Sequence, residues 1–282
     1  MVRCAYLGGR VLYTCLRSTR WRLATSVVAM LATVGAAEAA QRPADEPRQP
    51  LQELIRTEVV YPQEKGELQL TLLSRADKGR NGSVLGFPVE VEFGLTDAWQ
   101  VGLEWGTHSR VRRGDAVSSG RGGLAVGTKY SFMNIIGSDV HAAVGLEMEF
   151  PGGLGADGLR EDTREVEPFV ALAADLRGGV QTFFHVGRSF TPGGSGDEAG
   201  DESAVNVQWN AGALVALRRV TLAGELNSRT NGSPWGRGGE LYATPSITFL
   251  LPRPWEMGLG VPIGLNGRSD RFGLSIHVIY EK

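Results

Sequence analysis

From Gly66 onward almost every stretch of the chain alternates, setting an apolar or aromatic residue at one parity and Gly, Ala or a polar residue at the other. A period of two marks β-strands with one face in an apolar environment, because successive side chains point to opposite sides of the pleat. Leu68, Leu70 and Leu72 oppose Glu67, Gln69 and Thr71, and Phe87, Val89, Val91 and Phe93 oppose Glu90, Glu92 and Gly94. Trp99, Val101, Leu103 and Trp105 oppose Gln100, Gly102, Glu104 and Gly106, and Leu124, Val126, Thr128 and Tyr130 oppose Gly123, Ala125, Gly127 and Lys129. A fifth stretch, 140–150, sets Val140, Val144, Leu146, Met148 and Phe150 against His141, Gly145, Glu147 and Glu149. Seven more near 163–175, 179–189, 203–216, 219–228, 239–250, 254–264 and 269–280 bring the count to twelve. Twelve is even, as an antiparallel up-and-down barrel with both termini on one side requires. Pro168 and Pro245 each remove a ladder donor, so bulges or local breaks are expected there.

The connections separate a membrane barrel from a soluble one. Segments 94–98, 175–178, 217–219 and 251–253 are short, whereas 75–83, 107–122, 151–162, 190–202 and 229–238 are long, polar and Gly-rich. Outer-membrane barrels pair short periplasmic turns with long external loops in this way. Trp99, Tyr130, Trp255 and Tyr280 fall at the inner ends of strands and Trp105 at an outer end, where aromatic girdles meet the lipid headgroups. A soluble sandwich would need polar residues, not Gly and Ala, on its outward faces. The expected fold is therefore all-β, a transmembrane antiparallel barrel of about twelve strands with periplasmic termini.

Residues 1–39 read as a secretory signal peptide: Arg3, Arg10, Arg17, Arg20 and Arg22 without an acid, an uncharged run from Leu23 to Ala37, and small residues at Ala37 and Ala39. The run falls short of the roughly 20 apolar residues that span a bilayer. Removing it takes away Cys4 and Cys15, the two cysteines of the chain, so no disulfide, thiol catalyst or Cys-bound metal is expected. The remainder carries 24 basic and 30 acidic residues, a net −6, which argues against a nucleic-acid partner. Residues 40–63 read as a periplasmic linker in which LQELIRTE (51–58) forms a short helix or plug, and 64–282 as the barrel. The terminal strand, with Gly273, Ile276, Val278 and Tyr280, has the pattern read by the outer-membrane insertion machinery, followed by the extra Glu281 and Lys282.

The stretches EVVYPQEKGELQLTLLSR (58–75), VEFGLTDAWQVGLEW (91–105), EPFVALAADL (167–176) and GVPIGLNGRSDRFGLSIHVIYEK (260–282) resemble the transporter-like outer-membrane family labelled "MetA-pathway of phenol degradation". The likeness rests chiefly on the G-L-T-D turn and the closing P-I-G-L. It implies an outer-membrane barrel for uptake of small organic molecules and brings no catalytic residues.

With the apolar parity facing lipid, the lumen is acidic. Glu104, Glu147, Glu149, Glu165 and Glu167 gather in its outer half, with Lys129 and His141 on the same parity, and the 107–122 connection above them carries Arg110, Arg112 and Arg113. Either that loop folds inward to set its arginines against the glutamates as a charged constriction, or the glutamates are solvated or paired and the loop stays outside, meeting lipopolysaccharide phosphates. The second is preferred, because charge alone does not place a long loop. Inward glycines such as Gly102, Gly127, Gly145, Gly212, Gly258 and Gly273 are expected to leave room in the lumen.

The remaining motifs carry no chemistry. Glutamates at i, i+2 are what alternation produces, the four His lack ligand spacing, and no cofactor or metal is expected. Gly153–Gly158 fits GxGxxG but opens no helix, and the acids at 197–202 lack the spacing of a Ca²⁺ loop. The expected function is passive or gated passage of a small organic or cationic solute across the outer membrane of a Gram-negative bacterium. The chain is not expected to be an enzyme. The alternatives are a structural or adhesive barrel acting through its external loops, or a lipid-modifying barrel enzyme. Expected partners are outer-membrane lipids and lipopolysaccharide, the insertion machinery and the solute.

Overall fold

A computed structural model describes residues 51, 53–80, 82–150, 164–190, 206–231 and 239–282. The signal peptide, the start of the linker and most of the connections at 151–163, 191–205 and 232–238 lie outside the described residues, as do the GxGxxG run and the acids at 197–202.

Among the described residues fourteen strands form one sheet: β1 (Leu68–Lys78), β2 (Gly82–Thr96), β3 (Trp99–Arg113), β4 (Ala116–Gly120), β5 (Leu124–Ile136), β6 (Val140–Phe150), β7 (Glu165–Asp175), β8 (Val180–Ser189), β9 (Asn206–Ala216), β10 (Val220–Asn231), β11 (Glu240–Leu250), β12 (Trp255–Gly260), β13 (Ile263–Gly264) and β14 (Phe272–Glu281). Sequential neighbours pair antiparallel and β1 pairs with β14, so the sheet closes on itself. The barrel has twelve staves, because β4 only extends β3 beyond the wall, and β12 and β13 are two pieces of one stave. Closure leaves the twelve-stave wall no open edge among the described residues, the condition for strands to cross a bilayer.

Burial runs opposite to that of a water-soluble protein. Gln69, Thr244 and His277 are 0% exposed on the inward face, whereas outward-facing Leu103, Trp105 and Leu172 are 40% exposed or more. An apolar belt of this extent suits lipid and would aggregate in water. Trp99 pairs with Tyr130 across β3 and β5, and Trp255 with Tyr280 across β12 and β14, at the end of the barrel that holds the termini. The Trp255 and Tyr280 rings meet edge to face at 4.9 Å.

Both prolines interrupt ladders without shifting register. At Pro168 the β7–β8 ladder lapses between Phe169↔Gly187 and Val166↔Phe190, and opposite Pro245 the eleventh stave parts into β12 and β13 around Val261 and Pro262. The bulges lie elsewhere. One sits at Thr107, an extra residue of β3 between its Gly106↔Pro88 and His108↔Phe87 pairs, and another lies between Phe132 and Ile136, where Asn134 takes φ 59°. Two connections expected to be long loops are not: β1 and β2 run on to a tight turn at 79–81, and 107–122 is mostly the β3–β4 hairpin.

Candidate functional site

Of the linker's LQELIRTE stretch, Leu51 and residues 53–58 are described and form no helix; they run as bent and extended chain inside the barrel. A helix would have satisfied the backbone internally, and here the wall does so instead. Glu225 on β10 accepts from the Ile55 and Arg56 amides, both at 3.1 Å, and from the Thr57 hydroxyl at 2.6 Å. Asn210 donates to the Arg56 carbonyl at 3.1 Å. Lys129 on β5 donates to Glu58 Oε1 at 2.5 Å and to the Val59 carbonyl at 2.9 Å, and Ser131 to the Val60 carbonyl at 2.6 Å. Gln63 closes the path near the terminal end, bonded to Gln69, Glu92 and Gln100.

Apolar contacts hold the same segment. Leu51 and Leu54 pack on Phe183, Leu214 and Ala223, and Val60 and Tyr61 pack on the small residues Ala143, Ala171 and Ala173. Burying side chains of this size contributes roughly 1.5–3 kcal/mol each. The segment rises to Arg56, which meets Asp77 at 3.2 Å and lies 4.5 Å from the Tyr242 ring, and then returns to the terminal end. Its exit passes over Gly94, where a Cβ would stand 1.9 Å from the Glu64 carbonyl oxygen, so only glycine fits. Most inward glycines do not leave open space: the Phe169 ring fills the place over Gly145, Phe183 that over Gly212, His277 that over Gly258 and the Asp77 carboxylate that over Gly273. Gly102 and Gly127 do border a small open space of about 70 Å³.

Beyond the segment lies a cavity of about 540 Å³, whose wall on the β2–β7 side is acidic. Register explains the concentration. Glu90 pairs directly with Glu104, Glu147 with Glu167, and Glu149 with Glu165. Like charges opposite one another destabilise a sheet, and three of these six glutamates have partners: Arg229 meets Glu165 at 3.2 Å, Gln208 donates to Glu167, and Glu149 also makes a polar interaction. Among the described residues Glu90, Glu104 and Glu147 have neither a hydrogen-bond nor an ion-pair partner. Glu53, on the inner segment, accepts from Gln69 at 2.7 Å and Thr71 at 2.5 Å; burial and then the Glu92 carboxylate raise its pKa from an ordinary 4.5 to about 8.

Of the residues singled out from sequence, Glu104, Glu147, Glu149, Glu165, Glu167 and Lys129 line this cavity. His141 does not. It is fully buried near the terminal end, accepting from the Asn134 amide at 3.1 Å, with Asp175 at 3.4 Å and the Tyr61 ring 5.8 Å away. Arg110, Arg112 and Arg113 do not line it either. Beyond the Thr107 bulge it is Ser109 that borders the cavity, so Arg110 and Arg112 face outward and the inward-folding loop does not form. Sequence reading missed the rim residues Arg75, Asp77 and Arg229 and the latch role of Glu225, since strand parity places them in the lumen without saying what they meet. Among the described residues no group of three His, Asp or Glu is arranged to hold a metal ion.

No protein-family model matches the chain, and no curated protein is similar to it in sequence. Solved structures are similar in fold. The KdgM porin aligns at TM-score 0.50 and 11% identity over 74% of this chain and 98% of its own, and the NanC porin at TM-score 0.54 and 11% identity over 76% and 99%. A KdgM porin in complex with disordered oligogalacturonate aligns at TM-score 0.50 and 12% identity, over 74% and 98%. The fold is thus that of a porin-like transmembrane barrel of the outer-membrane type.

Proposed function

We propose that the protein is an outer-membrane channel of a Gram-negative bacterium, exported behind a cleaved signal peptide, that admits small organic or cationic solutes through an acidic vestibule. At rest its own residues 53–63 close it from the periplasmic side. The observation that carries this reading is the set of facing glutamates on the cavity wall, of which Glu90, Glu104 and Glu147 have neither a hydrogen-bond nor an ion-pair partner among the described residues. Such a wall is costly for folding and becomes favourable when a mobile cation neutralises it, which is how rings of carboxylates select cations. Oligogalacturonate, bound by a KdgM porin, is a polyanion; the same wall would repel it, so the shared fold serves a different charge class here.

The reading includes kinship with the MetA-pathway family, supported by the G-L-T-D and P-I-G-L motifs. Both do structural work: Gly94 admits the returning chain, Asp97 accepts from the Lys65 amide at 3.1 Å, and Gly264 lies against the Asp270 backbone. The barrel filters and does not react, so no catalytic residue is assigned.

Liposome swelling tests the proposal. The full chain should admit small cationic solutes slowly, and a chain lacking residues 51–63 should admit them several-fold faster while excluding anionic solutes of equal size. Equal and slow swelling by both chains, in liposomes where the folded heat-modifiable band is present, would show that the segment is not the barrier.

A further inference from the structure

Above the lipid belt of the β14–β1–β2–β3 wall the outward face turns basic within one pair of residues. Register lines up Phe272, Lys78, Ser83 and Arg112 across four strands, and one pair nearer the membrane Leu274, Ala76, Leu85 and Arg110. Residues directly opposite in a sheet share a face. The exposure of Phe272 (52%) and Leu274 (42%) identifies that face as the outer one. Strands two apart are separated by roughly 10 Å. Lys78, Arg110 and Arg112 therefore surround the Ser83 hydroxyl as a triangle of exposed cations, with aliphatic and aromatic side chains directly beneath them.

These cations are available. Arg112 Nε donates to the Gly114 carbonyl at 3.2 Å within its own hairpin, and among the described residues Lys78 and Arg110 have no carboxylate partner. Asp77 and Gly273, next to them in the chain, face the lumen, where they meet each other, and Asp115 lies at the hairpin turn. The Thr107 bulge is what turns the arginines out: strict alternation from Glu104 would have sent Arg110 and Arg112 into the lumen.

We propose that Lys78, Arg110 and Arg112 form a binding site for the phosphate of an outer-leaflet lipid headgroup, whose acyl chains lie on Phe272, Leu274, Leu85 and Phe87. Two guanidinium forks and an ammonium around a hydroxyl match a phosphate. The apolar row below selects a phosphate that carries acyl chains over one free in solution. The site is independent of the channel reading, since none of its side chains borders the cavity.

Native mass spectrometry of the full chain, released from vesicles containing bisphosphorylated lipid A, tests the assignment. The wild-type protein should retain the lipid, and the Lys78→Gln/Arg110→Gln/Arg112→Gln variant should retain about tenfold less while keeping its heat-modifiable band and its solute uptake. Lipid A stripped of its phosphates should be lost by both proteins, and inorganic phosphate in millimolar excess should not displace the intact lipid. Equal retention by the variant, or equal retention of the stripped lipid, would overturn the site. Displacement by inorganic phosphate would make it a site for a free anion and overturn the lipid assignment.

Discussion

Glu225 does at the scale of one residue what the linker's sequence does not do for itself. The segment at 55–57 has no helical hydrogen bonds, and one carboxylate takes the place of two of them, at the Ile55 and Arg56 amides, and holds the Thr57 hydroxyl as well. Leaving a buried donor unsatisfied costs about 1–3 kcal/mol, so Glu225→Ala should loosen the segment without unfolding the barrel, whose ladders it does not join through its side chain. The measurement is protease cleavage within 51–63 in intact liposomes, which should become at least several-fold faster. Glu53 adds a pH dependence whose sign follows from its raised pKa of about 8. Seated, it stays protonated; released, it ionises at an ordinary 4.5. The seated state therefore holds an extra proton between those values, and seating weakens as pH rises through them. Solute uptake should increase as pH is raised from about 5 to about 9, and Glu53→Gln should flatten that rise.

Element by element, the sequence was most informative where alternation was uninterrupted. The walls of β3, β5 and β6 follow from parity alone, because one slip of register would put Leu103 or Leu146 in water and Glu104 or Glu147 in lipid. The same parity located the carboxylates of the site. Two things were hidden. The LQELIRTE stretch has helical spacing, but its environment is a lumen lined with Glu225, Lys129, Ser131 and Asn210, and those side chains satisfy an extended backbone that no local rule foresees. The direction of Arg110 and Arg112 depends on the extra residue at Thr107, and a bulge leaves no clear mark in a Gly- and Ser-rich stretch. Deleting Thr107 gives a regular β2–β3 ladder with every later residue on its present face. The deletion should therefore leave the folded band and the charge preference of the channel unchanged; a turn toward anion preference would show that the arginines had entered the lumen.

In the whole molecule the twelve staves enclose a bore intermediate between side-chain-filled small barrels and open porins. The terminal half of that bore is filled by the protein's own segment and by rings that lean over glycines, while the far half is an acidic cavity of about 540 Å³. In the proposed channel the filter and the closure occupy separate depths, so charge selection and opening should be separately alterable. The most direct test of the filter is the reversal potential of single channels in a salt gradient, recorded for the chain lacking residues 51–63 with and without Glu90→Gln/Glu104→Gln/Glu147→Gln. A clear cation preference that falls toward none in the triple variant is the predicted result; an anion preference in the unsubstituted barrel, or a cation preference untouched by the three substitutions, would contradict it.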